Sequence, residues 1–422
     1  MNAQMPGRGG HLVRGGRLAR SRGGWLARLV AGSFQRTLDR IDKGLDAGML
    51  EVRLPDGSMR ILGGRGPGPA AEIDMKDWRA LVRMATSGSV GSYEGWEAGD
   101  WDSPDPMQIF ALFMRNAASL GREARAKGPW RWASRMLHAA RRNSRAGARS
   151  NIAAHYDLGN DFYSRWLDPT MSYSSARWEG LADDASMERA QTNKVEMIGD
   201  RLNLKRGDRV LEIGCGWGYL ARHIADRHGV EVTAISLSDN QLAWAREKQV
   251  SCGPTSVDFR HQDYRDVEGQ FDAIASVEMV EAVGREYWDD FVRCLARNLK
   301  PGGRAVIQYI AIREELFADY AAGADFIQTY VFPGGMLMSE RAFKGLAVQH
   351  GLIWRDRDCF GPDYARTLAE WRKAFDAAVD AGTLPAGFDE RFVRLWRFYL
   401  MYCEGGFRGG GIDVCQVTLE KA

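Results

Sequence analysis

The segment Val210-Leu-Glu-Ile-Gly-Cys-Gly-Trp-Gly-Tyr-Leu-Ala-Arg-His-Ile-Ala225 decides how this chain folds. Its first four residues, Val210 to Ile213, have the apolar character of a short buried strand. Three glycines follow at alternate positions, Gly214, Gly216 and Gly218, and apolar residues then recur at helical spacing. A strand, a glycine turn and a helix N-terminus together bring free backbone amides close to a nucleotide-like cofactor.

The spacing of these glycines differs from the dinucleotide-binding fingerprint, which has two residues between its second and third glycine. Here the pattern is Glu-x-Gly-x-Gly-x-Gly, and Glu212 precedes the turn. A carboxylate is an unfavourable neighbour for a phosphate, but it suits a cofactor that carries a positive charge and an amino-acid tail. S-adenosylmethionine has both and lacks phosphate. The glycines alone leave a plain strand-to-helix turn as the alternative.

Length and composition bound the possible functions. A chain of 422 residues can form one large domain and a smaller one. Its 57 Lys and Arg nearly balance 55 Asp and Glu, which argues against nucleic acid as a partner of the whole chain. The six cysteines form no Cys-x-x-Cys pair, so we expect reduced thiols, no metal site and a cytosolic setting. We find neither an apolar run long enough to span a bilayer nor a secretory signal.

The chain divides into four regions by composition. Residues 1–24 are rich in Gly and Arg and predict a disordered basic arm. Residues 25–120 predict a small α+β domain with a helix over 25–45, a hairpin over 50–62, helices from 77 and over 107–120, and a turn over 87–99. Residues 121–149 are a basic stretch with tryptophans, which is either a charged linker or a segment at a membrane interface. Residues 150–422 predict the catalytic domain.

The catalytic region alternates strands and helices, which predicts an α/β fold with a doubly wound parallel sheet. Strands are expected at 210–213, 231–235, 257–262, 271–277 and 304–310, the last after a turn at 300–303, with a closing strand at 414–419. A helix is expected over 392–403, and residues 311–390 form an insertion. Ligands bind such sheets at the carboxyl ends of the strands.

Groups suited to binding a ligand follow four successive strands of this sheet: glycines after the first strand and polar side chains after the next three. The glycines would hold the methionine tail, and Ser236 and Gln241 stand where a ribose would bind. Asp263 offers an acceptor for an adenine amine, and Tyr264 offers a ring for stacking. Glu278 and Glu281 follow the fourth strand and face the reacting centre. Each group alone is a weak signal, but their succession favours a methyltransferase site.

Several sequence blocks carry a resemblance to a known family. They are His155-Tyr-Asp-Leu-Gly-Asn160, Leu167-Asp-Pro-Thr-Met-Ser-Tyr-Ser174, Leu211–Gly218, Gln262–Asp266 and Phe332-Pro-Gly-Gly335. In this order they resemble the cyclopropane-fatty-acyl-phospholipid synthase and mycolic-acid methyltransferase family, over the chain from about residue 25 onwards. The resemblance implies a class I, Rossmann-like S-adenosylmethionine-dependent methyltransferase domain with a small N-terminal lipid-docking domain. It also implies that residues 311–390 are an insertion that forms the pocket for the acyl chain.

The resemblance further implies a substrate and a location. The acceptor is a cis alkene in the acyl chain of a membrane phospholipid. The chain is expected in the cytoplasm, bound peripherally to an anionic membrane surface, and homodimers are frequent in the family. The aligned blocks add Tyr173 and Ser174 to the cofactor-binding residues. Aromatic rings at Tyr173, Phe332 and Tyr364 would face a carbocation.

In the family a bound bicarbonate removes the final proton. The positions that match its ligands are Ser175, Glu281, Gln308, Ile310 and Tyr364. Ser175 stands where the family has Cys, and Gln308 stands where many members have His. Gln308 cannot carry positive charge or relay a proton, so we expect a weakened anion site. The expected product is a methylated alkene, a class that includes precursors of furan fatty acids, instead of a cyclopropane.

Three other functions stay open at this stage. The chain is a standard cyclopropane synthase if the altered anion site still closes the ring. A non-catalytic lipid-binding relative would keep the fold, but the intact glycine turn and Glu281 argue against it. A small-molecule or nucleic-acid methyltransferase is disfavoured by the blocks over 155–175 and 330–335.

Overall fold

A computed structural model describes residue 8 and residues 31–121, 158–252, 257–323 and 325–422. The basic arm, most of the 121–149 stretch and His155 lie outside these residues. The chain forms two compact units. The described part of the first contains residues 8, 31–121, 315–323, 325–333 and 386–412, and that of the second contains residues 158–252, 257–314, 334–385 and 413–422. None of the helices in these described stretches is long and apolar enough to cross a membrane.

The first unit is an α+β structure. Its strands and helices are α1 (Ala31–Gly44), β1 (Met49–Arg53), β2 (Met59–Gly63), β3 (Ala70–Met75), α2 (Arg79–Ala98), β4 (Trp101–Asp102), α3 (Pro106–Arg115) and α4 (Ala117–Leu120). Most of helix α10 (Glu314–Ala321) and all of helix α13 (Glu390–Arg408) belong to it as well.

The second unit holds the larger sheet. Its elements are α5 (Asn160–Tyr163), α6 (Met187–Leu202), β5 (Arg209–Ile213), α7 (Tyr219–His228), β6 (Glu231–Ser236), α8 (Asp239–Cys252), β7 (Val257–His261), β8 (Phe271–Val277), α9 (Trp288–Asn298), β9 (Leu299–Ile312), α11 (Glu340–Gln349), β10 (Leu352–Cys359), α12 (Gly361–Asp380) and β11 (Ile412–Lys421).

The expected hairpin is present, with β1 and β2 antiparallel around Pro55-Asp-Gly57. The sheet continues with β3, parallel to β1, and the short β4. Strand β3 escaped the sequence prediction although Ala71, Ile73 and Met75 alternate as buried residues. Its polar residues and the glycine-rich loop before it concealed that alternation, because single-sequence patterns of this length are ambiguous.

The predicted turn over 87–99 is wrong, because α2 continues to Ala98 with a kink at Gly88. The glycines in this helix are packing sites. A Cβ atom on Gly91 would lie 1.9 Å from the carbonyl oxygen of Arg83, and one on Gly95 would lie 3.1 Å from the Trp101 ring. Buried Tyr93 and Trp96 anchor the same stretch, so burial of large rings outweighs the low helix propensity of glycine.

The second unit contains a seven-stranded sheet with the order β10-β11-β9-β8-β5-β6-β7. Strand β5 pairs in parallel with β6 on one side and with β8 on the other. The chain leaves β5 towards β6 and β7 and later returns to form β8 and β9. This reversal creates a crevice at the carboxyl end of β5, as expected for a doubly wound fold.

At the edge of this sheet the structure differs from two predictions. The supposed insertion contains β10, which pairs antiparallel with β11. This pairing places Cys359 opposite Cys415, and the two form a disulfide, so the expectation that all thiols are reduced is wrong. No local pattern indicates the pair, because the cysteines are 56 positions apart and only the sheet brings them together. Glu340 lies beside them, but the paired sulfurs are no longer thiolates that bind a metal.

Two further differences concern the strands and the unit boundary. Strand β9 begins at Leu299, and residues 300–303 bulge where the pairing with β8 shifts register, so the expected turn is a bulge within the strand. Helix α13, predicted for the catalytic domain at 392–403, packs on α3 in the first unit. Glu404 lies inside this helix, where its carboxylate accepts from Arg408, and it does not cap the helix.

Close packing of α13 against α3 depends on glycine. A Cβ atom on Gly405 would lie 2.5 Å from the Cβ of Phe110 and 2.8 Å from the carbonyl oxygen of Met107. We therefore expect Gly405→Ala to lower the free energy of unfolding by about 1–3 kcal/mol. Gly345 is the control, because it is an exposed glycine of α11 with no atom within 4 Å of an added Cβ. Gly345→Ala should stabilise the chain by about 1 kcal/mol.

Denaturant unfolding of both variants measures these changes. Equal stability of Gly405→Ala and the wild type would contradict the described packing of α13.

Candidate active site

A cavity lies at the carboxyl ends of β5, β6 and β8 within the second unit. Its walls include the glycine turn after β5, the segment Met171–Ser174, the start of the segment after β6, the Gln262–Arg265 stretch and Glu278. The expected meeting of the strand ends therefore occurs. Apolar side chains such as Val195, Leu220 and Ile235 line it beside these polar groups, which suits a ligand with both apolar and polar parts.

The glycine turn has the backbone conformation that its sequence predicts. Gly214, Gly216 and Gly218 have φ angles of 83°, 52° and 77°, which L-residues adopt only at a cost. Protein atoms fill the space beside two of them: an added Cβ would meet the Met279 side chain at Gly214 and the Phe259 ring at Gly218. The space beside Gly216 is open towards the cavity. At this position the backbone is accessible to a ligand.

Glu212 lies buried below the turn, with 3 % of its surface exposed. Burial raises the pKa of its carboxyl to about 8, although the positive charges of Arg222 and Lys194 lower it. Its Oε2 atom has no hydrogen-bond partner among the described residues. A cation that binds nearby would favour the ionised carboxylate and lower this pKa.

The groups expected at the ribose and adenine positions line the cavity but also bond to one another. Ser236 donates from Oγ to Oε1 of Gln241 at 3.2 Å. The Asp263 carboxylate accepts from both Nε and Nη2 of Arg265, at 2.9 and 2.6 Å, so the acceptor proposed for adenine is engaged by arginine. The Tyr264 ring packs against Phe291, and its hydroxyl has no partner in the described part of the chain.

Aromatic side chains hold the segment Met171–Ser174 at the wall of the cavity. The Tyr173 ring contacts Tyr163, Trp166 and Trp371, with centroids 5.3–5.7 Å apart. Trp217 of the glycine turn donates from Nε1 to Oδ1 of Asn160 at 2.8 Å. These contacts tie the stretch that begins with α5 to the turn. Ser174 is buried beside Tyr173 and lines the cavity.

Glu278 is the centre of the polar cluster. Its φ of 48° lies in the left-handed region, a conformation that costs a non-glycine residue about 1–2 kcal/mol. Its Oε1 accepts from the Ser175 amide at 2.9 Å and from Gln308 Nε2 at 2.8 Å. Its Oε2 accepts from the Tyr364 hydroxyl at 2.6 Å. Strained backbone with a fully bonded side chain is typical of a functional position.

The second carboxyl of the cluster belongs to Glu281. Its Oε1 accepts a short hydrogen bond from the Ile310 amide, and its Oε2 is buried without a partner among the described residues. Burial, together with the charge of Glu278, raises the pKa of Glu281 to about 8. Burial also raises the pKa of Glu278, but the bonds from Tyr364, Ser175 and Gln308 oppose this effect. These donors favour the ionised form of Glu278, whereas the buried Oε2 of Glu281 has no donor among the described residues.

The five residues expected to hold a bicarbonate do converge, but around protein carboxyls. Ser175, Gln308 and Tyr364 bind Glu278, while Ile310 binds Glu281. The Ser175 Oγ donates to the Ala176 carbonyl, and it is the Ser175 amide that reaches the cluster. Gln308 is itself fixed by Gln416, which donates to its Oε1 at 3.0 Å. Phe332 belongs to the first unit, where it packs on Tyr399.

Two residues of the site were not assigned from the sequence. Glu278 was placed at the site without a role, and its signal was a second Glu three residues before Glu281. Lys194 was missed entirely. It lies on α6 with 3 % of its surface exposed, lines the cavity and donates from Nζ to Ser174 Oγ and Gln191 Oε1. A lysine at a helical position gives no sequence signal of burial.

Comparisons with known proteins agree with this geometry. The family profile described as mycolic acid cyclopropane synthetase matches residues 143–417. The chain belongs to this family.

Two members of the family are similar to this chain over most of its length. The tuberculostearic acid methyltransferase UfaA1 of Mycobacterium tuberculosis is 36 % identical over 362 residues, 80 % of each chain. The cyclopropane-fatty-acyl-phospholipid synthase of Escherichia coli K12 is 35 % identical over 354 residues, 83 % of this chain and 88 % of that protein. Among solved structures, mycolic acid cyclopropane synthase CmaA1 complexed with SAH and CTAB is 30 % identical, with a TM-score of 0.59 over 65 % of this chain and 98 % of that one.

Membership confirms the fold class predicted from the sequence, a Rossmann-like methyltransferase, and S-adenosylmethionine as the cofactor. The cavity fits this molecule. The open face of Gly216 admits it, and the Tyr264 hydroxyl and the Oε2 atom of Glu212, which have no partner among the described residues, are able to interact with it. The family acts on unsaturated lipid chains, by methylation or by cyclopropanation.

The raised pKa of Glu281 predicts a dependence of stability on pH. The unfolded carboxyl has a pKa near 4.5 and the folded one about 8, so the folded state binds the proton more tightly between these values. This contribution to stability is complete below pH 4.5 and is lost as the pH rises towards 8. We expect Glu281→Gln to flatten the pH dependence of the unfolding free energy between pH 5 and 8. Denaturant titrations at each pH measure the unfolding free energy. An equal dependence of this free energy on pH in the variant and the wild type would contradict the raised pKa of Glu281.

Proposed function

We propose that this chain transfers the methyl group of S-adenosylmethionine to the double bond of an unsaturated acyl chain in a membrane phospholipid, and that the product is a methyl-branched alkene. The observation that carries the proposal is the Glu278 carboxylate, which accepts from the three groups around it where a free anion was expected. The base of the reaction is then part of the chain.

S-adenosylmethionine, when bound, would supply an electrophilic methyl group: the π pair of the alkene forms the new C–C bond, the methyl–sulfur pair leaves with S-adenosylhomocysteine, and a carbocation is left on the acyl chain. An alkene is a weak nucleophile, so the site must hold it in line and exclude water. Tyr173 lines the cavity, and its ring packs edge-on against Trp166 and tilted against Trp371, which gives the cavity an aromatic side. The faces of Tyr173 and Tyr364 would stabilise the cation.

Glu278 then accepts a proton from the cationic acyl chain. Its negative charge stabilises the cation before transfer, and its position is fixed by the Ser175 amide, Gln308 and Tyr364. Loss of a proton from a carbon next to the cation moves that C–H electron pair into a new C=C bond. The product keeps the transferred methyl as a branch, and Glu278 ends as the neutral acid.

A cyclopropane is the alternative product, formed when the proton leaves the transferred methyl and the C–H pair closes the ring. Similarity does not choose between them, because UfaA1 and the Escherichia coli synthase are 36 % and 35 % identical to this chain. The cluster favours the alkene: Ser175, Gln308 and Glu278 replace a mobile anion by a base tethered to the backbone.

We also propose that the first unit docks on an anionic membrane surface.

Glu278→Gln tests the base. The amide keeps the size of the side chain but cannot accept the proton, so we expect turnover to fall by about 100-fold or more. S-adenosylmethionine binding should change little. The assay follows conversion of unsaturated phospholipid vesicles by mass spectrometry, and Glu286→Gln, a change at an exposed position on the following turn, is the control. A Glu278→Gln variant with full activity would refute the role.

Glu278→Gly tests whether the carboxylate takes the place of an anion. Removing the side chain frees the Ser175 amide, Gln308 and Tyr364 to bind bicarbonate, and glycine adopts a positive φ without cost. We expect added bicarbonate to restore activity to this variant, whereas chloride should not. The wild type should retain its activity in bicarbonate-depleted buffer. Cyclopropane as the sole wild-type product would refute the proposed outcome of the reaction.

A further inference from the structure

We propose that Lys194 binds the α-carboxylate of S-adenosylmethionine. This inference rests on the cofactor alone and is independent of which lipid product forms. It assigns a ligand to a buried cation at the cavity wall that the sequence did not identify as part of the site.

The surroundings of Lys194 leave its charge without a direct counter-ion. Nζ donates to Ser174 Oγ at 2.7 Å and to Gln191 Oε1 at 2.6 Å, and both acceptors are neutral. Among the described residues no carboxylate lies within ion-pair distance of it, and its third N–H has no acceptor. The Lys194 ammonium is 3 % exposed, and hydrogen bonds to two neutral acceptors do not offset the free energy of its desolvation.

More distant acids explain why the ammonium stays charged. Glu278, Asp168 and Glu212 are the ionisable groups that face it, and each raises its pKa, while burial lowers that pKa to about 8. Lys194 is therefore protonated at neutral pH. Glu278 already accepts from the Ser175 amide, Gln308 and Tyr364, so it does not need the lysine as a direct partner.

The charges of the cofactor decide which of its groups Lys194 can bind. S-adenosylmethionine carries a sulfonium, an ammonium and one carboxylate, and only the carboxylate attracts a lysine. Lys194, Ser174 and the glycine turn line the same cavity, and the resemblance places the methionine tail at that turn. A carboxylate that accepts from the third N–H and displaces water completes the coordination of the ammonium.

The partner of Lys194 also has a positioning role. Gln191, one helical turn before Lys194, donates from Nε2 to the Ser174 carbonyl at 2.9 Å and accepts from Nζ. The helix α6 thus holds both the ammonium and the Tyr173-Ser174 segment in one network. Lys194 links the cofactor tail to the segment that covers it.

A matched pair of ligands tests the proposal. Decarboxylated S-adenosylmethionine keeps the sulfonium and the amine but lacks the carboxylate. We expect Lys194→Met to weaken binding of S-adenosylmethionine by about 10- to 100-fold, the range for a hydrogen bond to a charged group. Binding of the decarboxylated ligand should change less than about twofold. Isothermal titration calorimetry on the full chain without lipid measures both affinities.

The control variant is Lys205→Met, which changes an exposed lysine and should leave both affinities unaltered. Equal weakening of both ligands in Lys194→Met, or no weakening of either, would overturn the proposal. The wild type supplies a test that needs no substitution: it should bind S-adenosylmethionine at least about tenfold more tightly than the decarboxylated ligand. Equal wild-type affinities would also overturn it. Neither result depends on the lipid product, so the proposed reaction is tested separately.

Discussion

The parallel pairing of β5 with β6 on one side and β8 on the other is the constraint on which the site depends. It places the ends of three strands at one crevice and directs the glycine turn into it. Gly214 and Gly218 are closed in by Met279 and Phe259, so the turn has no freedom to move away. Gly216 remains open between them. The backbone there is held rigidly at the place where a ligand must approach closely.

Burial of ionisable groups is the second principle of this site. Lys194, Glu212 and Glu278 line the cavity, Glu281 follows Glu278 by three residues, and each of the four has a pKa shifted by desolvation. Burial of an ionised group costs free energy unless a partner compensates its charge. A cofactor with two positive groups and one carboxylate supplies partners of both signs.

The two carboxyls after β8 differ through their hydrogen bonds. Glu278 accepts from the Ser175 amide, Gln308 and Tyr364, and these bonds favour its charged form. Glu281 accepts from the Ile310 amide, and burial favours its protonated form. Environment therefore separates two groups of the same chemical type, as expected for an acid and a base in one site. The strained backbone at Glu278 is the local cost of aiming its carboxylate at three donors from separate segments.

The sequence by itself determined the strand-turn-helix at 210–225, the doubly wound sheet and the cofactor, because glycine spacing and hydrophobic periodicity act locally. It also indicated the residues around the anion position, through short blocks of fixed order. Only the tertiary structure decided what those residues bind. Ser175, Glu278, Gln308 and Tyr364 come from distant parts of the chain, and only packing shows that a carboxylate of the chain fills their centre. Burial of Lys194 and the Cys359–Cys415 pair likewise depend on contacts between distant segments, which local patterns do not encode.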